Sequence, residues 1–168
     1  MLKKLGIGAY LALGTFVLTI VSWIIYGVSV TAPGYFHSVS VSYVVLFSIF
    51  ALLCYAASIA LSFVKVEGTL AKILPIIQSI LLVGACVFLI SNAINIIGAR
   101  AEGWGYIYFS DSNVLSEVQT ADNMSSAALS ITSFIFYLVT WAFSLATLFF
   151  NLTKKNATAK TDDEVVVE

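Results

Sequence analysis

Polar side chains are sparse in this chain, and over its last apolar stretch they recur at a fixed step. Across residues 126–151 they fall at Ser126, Ser130, Ser133, Tyr137, Thr140, Ser144, Thr147 and Asn151, in steps of 4, 3, 4, 3, 4, 3 and 4. Thr132 is the one hydroxyl off that line, and the other positions are Ala, Leu, Ile, Val, Phe or Trp. Alternating steps of three and four average about 3.5 residues, which places these groups in one narrow stripe along a helix. A stripe of that period wraps around a partner in a left-handed sense at a crossing of about 20°. Here the polar side is thin and the apolar side wide, so the solvent around the helix must be apolar. The pattern predicts a membrane-spanning helix whose hydroxyls face other helices.

Three earlier stretches carry the same signature. Residues 5–28 contain no charge and exceed the roughly 20 residues needed to cross the hydrocarbon. Their small and hydroxylated positions are Gly8, Ala12, Thr15, Thr19, Ser22 and Tyr26, a second 3/4 line. The run is too long for the usual 7–15-residue core of a signal peptide, so a retained span is expected rather than a cleaved leader. Residues 41–63 hold a third line, Val44, Ser48, Ala51, Tyr55, Ser58 and Ser62. Residues 73–98 form the least regular span, with Pro75 expected in its first turn and with Gln78, Asn92 and Asn95 inside it. Amides within a span are costly unless paired, so Asn92 and Asn95, three residues apart on one face, are expected to meet protein or water, through an interhelical hydrogen bond or, alternatively, as a ligand or ion site.

The connections differ in kind. Pro33-Gly34 breaks the chain after the first span, with Tyr35, Phe36 and His37 expected at the membrane surface. Residues 64–72 form a short polar link that makes the second and third spans antiparallel neighbours. Residues 99–123 read as one long loop between the third and fourth spans. Trp104, Tyr106 and Tyr108 alternate there with Gly105 and Ile107, and Phe109 follows, which predicts a short extended segment with one aromatic face. Val114, Leu115 and Val118 add a turn or two of helix. The aromatics suit either an interfacial belt capping the bundle or a partner-binding surface. Residues 152–168 are polar, aperiodic and expected to be disordered.

Composition agrees with four spans: 60% of residues are hydrophobic, 10% are charged, and the mean hydropathy is +1.00. Lys3, Lys4, Lys65, Lys72, Lys154, Lys155 and Lys160 all fall on one side of such a fold, and Arg100 alone on the other. The excess of positive charge puts both termini in the cytoplasm, in a cell membrane, with the long loop outside. The sequon at Asn123 would face outward, very close to the membrane.

The chemistry is narrow. One histidine and two separate cysteines, Cys54 and Cys86, offer no metal cluster and no CxxC pair, so no metal or cofactor is expected. Cys54 and Cys86 fall at similar depth and could touch. No Asp, Glu, Lys, Arg or His lies within the four expected spans, which removes the usual proton relay and intramembrane aspartyl or metalloprotease chemistry. A net charge of −1 gives no footprint for nucleic acid. In span count and loop order the chain resembles the four-span MARVEL-type and claudin-type proteins, which implies an architecture and no particular activity. The Trp and paired Cys of the claudin outer motif are missing from residues 29–40, and so is a tetraspanin-like Cys-Cys-Gly anywhere in the chain.

The expected fold is therefore an all-α membrane protein: an antiparallel, left-handed bundle of four transmembrane helices over about 5–28, 41–63, 73–98 and 126–150. Its polar interior is expected to hold Thr19, Tyr55, Asn92, Asn95, Tyr137, Thr140 and Ser144. The expected function is non-enzymatic, an accessory subunit or scaffold that binds other membrane proteins or its own copies. Trp104, Tyr106, Tyr108 and Phe109 are the docking candidates. The alternative is a small neutral-solute transporter or channel component, lined by Ser, Thr, Tyr and Asn.

Overall fold

The computed structural model describes residues 6–64, 69–150 and 152. Its elements are α1 (Ile7–Thr31), α2 (Ser42–Leu61), α3 (Thr69–Phe109), α4 (Ser112–Val118) and α5 (Ala121–Leu148), with no strand among the described residues. Four of them, α1, α2, α3 and α5, are long and apolar enough to cross a membrane. Leucine, isoleucine, valine and phenylalanine dominate their outward positions, as apolar surroundings require.

Helices α1, α2 and α5 each bury the 3/4 line read from their sequence. On α5, Ser126, Ser130, Ser133, Tyr137, Thr140, Ser144 and Thr147 are all buried, while Asn151 lies outside the described residues. On α1 the buried line is Gly8, Ala12, Thr15, Thr19, Ser22 and Tyr26, continuing to Ser29. On α2 it is Val44, Ser48, Ala51, Tyr55 and Ser58, with Ser62 half-buried. The line on α3 is largely apolar, which hid it in the sequence. It runs through Gln78, Leu82, Ala85, Leu89, Asn92, Ile96, Arg100, Gly103 and Ile107.

Around the bundle, α1 packs on α2 and α5, and α3 on α2 and α5. Hydrogen bonds give the directions. Gly6 N donates to Leu152 O at one end and Ser22 meets Thr140 farther along, so α1 and α5 run oppositely. Ser48 meets Asn92 and Ser58 meets Gln78, so α2 and α3 do the same. The diagonal pair α2 and α5 is joined across the axis by two tyrosines: Tyr55 of α2 reaches Ser144, and Tyr137 of α5 reaches Ser48.

Several expectations need correction. The third span does not stop at residue 98. Helix α3 has 41 residues, about 60 Å at 1.5 Å per residue, twice the roughly 30 Å hydrocarbon thickness. It also begins earlier, at Thr69, so Pro75 lies inside the helix rather than in its first turn. The long loop of residues 99–123 is consequently mostly helix: the end of α3, then α4, then the start of α5. The extended aromatic segment is helical too, because the alternation of Trp104, Tyr106 and Tyr108 is overridden by the continuing 3/4 line of Ile96, Arg100, Gly103 and Ile107 against the bundle. The helix expected near residues 114–121 is present as α4. The expected disordered tail falls outside the described residues except for Leu152, which is buried and holds Gly6.

At the end formed by the α1–α2 connection, residues 32–41 form a strap over the bundle. Gly34 has φ +122°, a left-handed conformation that glycine adopts without strain. A side-chain Cβ at that position would overlap the Asp122 carbonyl oxygen. The tight turn delivers Phe36 into a second small core with Ile107, Val118 and Ala127. Gly103 makes the seat for it: a Cβ there would lie 2.7 Å from the Phe36 and Tyr35 rings. Phe36 is thus buried rather than at a membrane surface, while Tyr35 and His37 remain exposed.

Candidate functional site

The interior is a column of polar groups, and several of the hydroxyls bond to their own helix. Thr15 donates to Leu11 O, Thr19 to Thr15 O and Thr147 to Ser144 O, at 2.6–2.8 Å. Such back-bonding satisfies a hydroxyl where no water can, and leaves a small side chain that lets helices approach closely. Cross-helix bonds lie in layers.

In the first layer, Gln78 Nε2 donates to Ser58 O and to Ser62 Oγ at 3.2 and 3.1 Å. Next come Tyr55 with Ser144 and, between α1 and α5, Ser22 with Thr140 at 2.9 Å. Ser22 and Thr140 are also 2.9 and 2.8 Å from the carbonyls of Leu18 and Phe136. Each hydroxyl has one hydrogen, so two of these three contacts are made at a time and the pair is degenerate. The third layer is complete at Ser48: it donates to Val44 O at 2.7 Å while accepting from Tyr137 at 2.7 Å and from Asn92 Nδ2 at 3.0 Å. Tyr26, Tyr55 and Tyr137 are among the largest fully buried side chains, and their rings occupy the space between the helices.

Six of the seven interior candidates, Thr19, Tyr55, Asn92, Tyr137, Thr140 and Ser144, are fully buried in this column. Asn95 is not part of it. It is half-buried on the outward side of α3 and donates to Ser91 O of its own helix at 2.7 Å. Three residues turn a helix by about 300°, enough to carry the second amide off the seam. The difference is measurable. Asn92→Ala is expected to lower stability in detergent by about 1–3 kcal/mol, through a lost bond and a small cavity. Asn95→Ala is expected to stay within about 0.5 kcal/mol of the parent by the same thermal melt.

Cys54 and Cys86 are free thiols, the first half-buried beside Gly84 and the second buried.

The residue that the sequence reading missed is Arg100. Counted there as a loop cation, it is fully buried, 0% exposed, where the strap meets the bundle. Its Nη1 donates to Ser29 Oγ of α1 at 3.0 Å and Ser130 Oγ of α5 at 2.9 Å, and Nη2 donates to Val39 O of the strap at 3.0 Å. The guanidinium lies 5.3 Å from the ring centres of both Tyr26 and Phe36, within cation–π range. One side chain thereby ties α1, α3, α5 and the strap together. Its partners are neutral, and Glu102, Asp111, Glu117 and Asp122 are all exposed. The signal available in the sequence was its spacing: Arg100 continues the α3 line four residues beyond Ile96.

The four aromatic docking candidates divide between two faces. Trp104 turns inward, donating Nε1 to Ser130 Oγ at 3.2 Å and lying 6.1 Å from the Phe134 ring. Tyr108 is half-buried against the Phe36 core. Tyr106 and Phe109 face outward, 45% and 85% exposed, with the Tyr35 ring 6.0 Å from that of Tyr106.

Together these features define a class: an all-helical bundle with four helices able to cross a membrane and a closed polar interior. Comparison with known protein families, with curated proteins and with solved structures finds no match to this chain.

Proposed function

We propose that this chain is a non-enzymatic, multi-pass membrane protein that acts as an accessory subunit or scaffold for other membrane proteins. The observation that carries the reading is the contrast between a filled interior and an unsatisfied exterior tip. The polar column is packed by tyrosine rings and bonded to itself, as a packing seam is and a solute path is not. Outside, Tyr35, Tyr106 and Phe109 present aromatic surface on turns of α3 and strap that extend past the end of α2. Rigid, exposed aromatic side chains are the residues that most often anchor interfaces.

In this reading the bundle winds left-handed, as the 3/4 lines require, and sits in the cell membrane with both termini cytoplasmic, following the lysine distribution. The strap, the end of α3 and α4 then face outward. The rival reading, a transporter or channel component for a small neutral solute, draws on the same Ser, Thr, Tyr and Asn lining.

One pair of measurements separates them. In mild detergent, a membrane protein is expected to co-purify in fixed stoichiometry and to be lost from the Tyr106→Ala, Phe109→Ala double variant, whose melting temperature stays at the parent value. Solute flux into liposomes from the pure protein, with no stoichiometric partner, would establish the rival instead.

A further inference from the structure

At the strap end of the bundle, exposed charge is of one sign. Glu102, Asp111, Glu117 and Asp122 are all exposed there, and the one lysine or arginine described at that end, Arg100, is buried. The other described lysine or arginine, Lys72, lies in the first turn of α3, about 42 Å away along that helix.

Glu102 shares a helix face with the exposed aromatic rings. Glu102, Tyr106 and Phe109 stand at i, i+4 and i+7 on α3, and all three are exposed. Side chains four apart on a helix are neighbours, so the Glu102 carboxylate is within reach of a group resting on the Tyr106 ring. The strap adds a second ring to this face. Tyr35 lies 6.0 Å from Tyr106 between ring centres, with 41° between the planes. Neither ring lies flat on the other, and each is 45% exposed, so aromatic surface stays open. Tyr35 is seated against Gly103, where a Cβ would lie 2.7 Å from its ring. The surface is therefore built before any partner arrives.

Its chemistry selects the occupant. An aromatic face attracts a cation through the ring quadrupole, and a carboxylate beside it adds an opposite charge. Four exposed carboxylates repel an anionic lipid surface, and a purely apolar partner would leave Glu102 covered and unpaired. Among cations arginine fits best. Its planar guanidinium stacks on a ring while its N–H fork bonds a carboxylate, whereas the lysine ammonium is a compact, strongly hydrated point charge. The interior already holds one such stack, with the Arg100 guanidinium 5.3 Å from the ring centres of Tyr26 and Phe36.

We propose that Tyr35, Tyr106 and Glu102 form a seat for an arginine side chain of a partner protein. The guanidinium lies on the Tyr106 ring and bonds the Glu102 carboxylate, and Phe109 packs against the partner one turn farther along α3. The remaining carboxylates steer a basic segment of the partner to this end of the bundle. The inference rests on the scaffold reading above and names the chemistry of the partner that reading requires.

The probe is a fluorescein-labelled peptide of alternating Arg and Gly, with its Lys–Gly counterpart, titrated with full-length protein in a neutral detergent. Saturable binding is expected, tighter for the Arg peptide and weakening with added salt. Tyr106→Ala and Glu102→Gln are each expected to weaken the Arg peptide by about two- to fivefold. Tyr106→Ala is also expected to bring the two peptides to equal affinity, while Tyr106→Phe keeps the preference for Arg. Both positions are exposed, so the melting temperatures of these variants are expected to match the parent. No saturable binding, equal binding of the two peptides by the parent, or Arg-peptide binding unchanged in Tyr106→Ala and Glu102→Gln would each overturn the proposal. The last result is what attachment to the acidic residues Asp162, Asp163, Glu164 and Glu168 would give. The two readings fail separately. A co-purifying partner lost from the Tyr106→Ala, Phe109→Ala variant but indifferent to Glu102→Gln and to salt overturns the arginine seat and leaves the scaffold. The absence of any stoichiometric partner overturns both.

Discussion

Replacing Gly34 by alanine is expected to unseat the strap and to lower stability by about 3 kcal/mol. Two penalties coincide there. The φ of +122° lies in a region that side-chain-bearing residues avoid. The new Cβ would also overlap the Asp122 carbonyl oxygen and lie 2.8 Å from Ser126 Cβ. The first obstacle is backbone in the opening turn of α5, which cannot swing aside as a side-chain tip can. Once the turn moves, Phe36 N loses Ser126 Oγ, the Phe36 ring leaves its seat on Gly103, and Arg100 loses both Val39 O and an aromatic face. A lower melting temperature and a red shift of Trp104 emission are expected together. Gly14→Ala is the matched control. Nothing stands within 4 Å of its added Cβ, so that change is expected to be neutral or stabilising by up to about 1 kcal/mol. Equal melting of the two variants would show that the strap contributes little to the fold.

What could be read from the chain divides along the same boundary. Where polar groups are rare, each is informative: the hydroxyl lines of α1, α2 and α5 became buried faces, because in apolar surroundings such groups have nowhere else to go. The corresponding face of α3 is mostly Leu, Ala and Ile, indistinguishable by type from its lipid side, so the line had to be inferred from spacing and was not. Past residue 98 the chain reads as a loop with an extended aromatic segment. Yet Gly103 is where an aromatic ring presses on the helix, and Arg100 is held by groups from α1, α5 and the strap, all distant in sequence. Tertiary contacts of that kind override local composition. The split of Trp104 and Tyr108 from Tyr106 and Phe109 follows from the same change, since a period of two puts all alternate rings on one face and a period of 3.6 does not.

Introducing leucine at both Thr140 and Ser144 is expected to open the bundle, at a cost of roughly 3–5 kcal/mol. Both positions are fully buried on α5, Thr140 against Ser22 of α1 and Ser144 beneath the Tyr55 hydroxyl of α2. A leucine at either site must push away a helix held close by a small side chain. In the second case it also leaves the Tyr55 hydroxyl without its acceptor, in a place with no water to replace it. The companion pair, Thr140→Val with Ser144→Ala, removes the same cross-helix bonds while keeping or reducing volume. Ser22, the hydroxyl left behind by Thr140→Val, still has its own helix carbonyl within reach at Leu18 O, so the cross-bond is dispensable. The conservative pair is therefore expected to cost about 1–2 kcal/mol. A large gap between the two pairs in detergent unfolding means that close approach holds the helices together, with the hydroxyls serving as small side chains that satisfy themselves. Equal losses would mean that the hydrogen bonds hold the bundle and that the spacing of small residues follows from them.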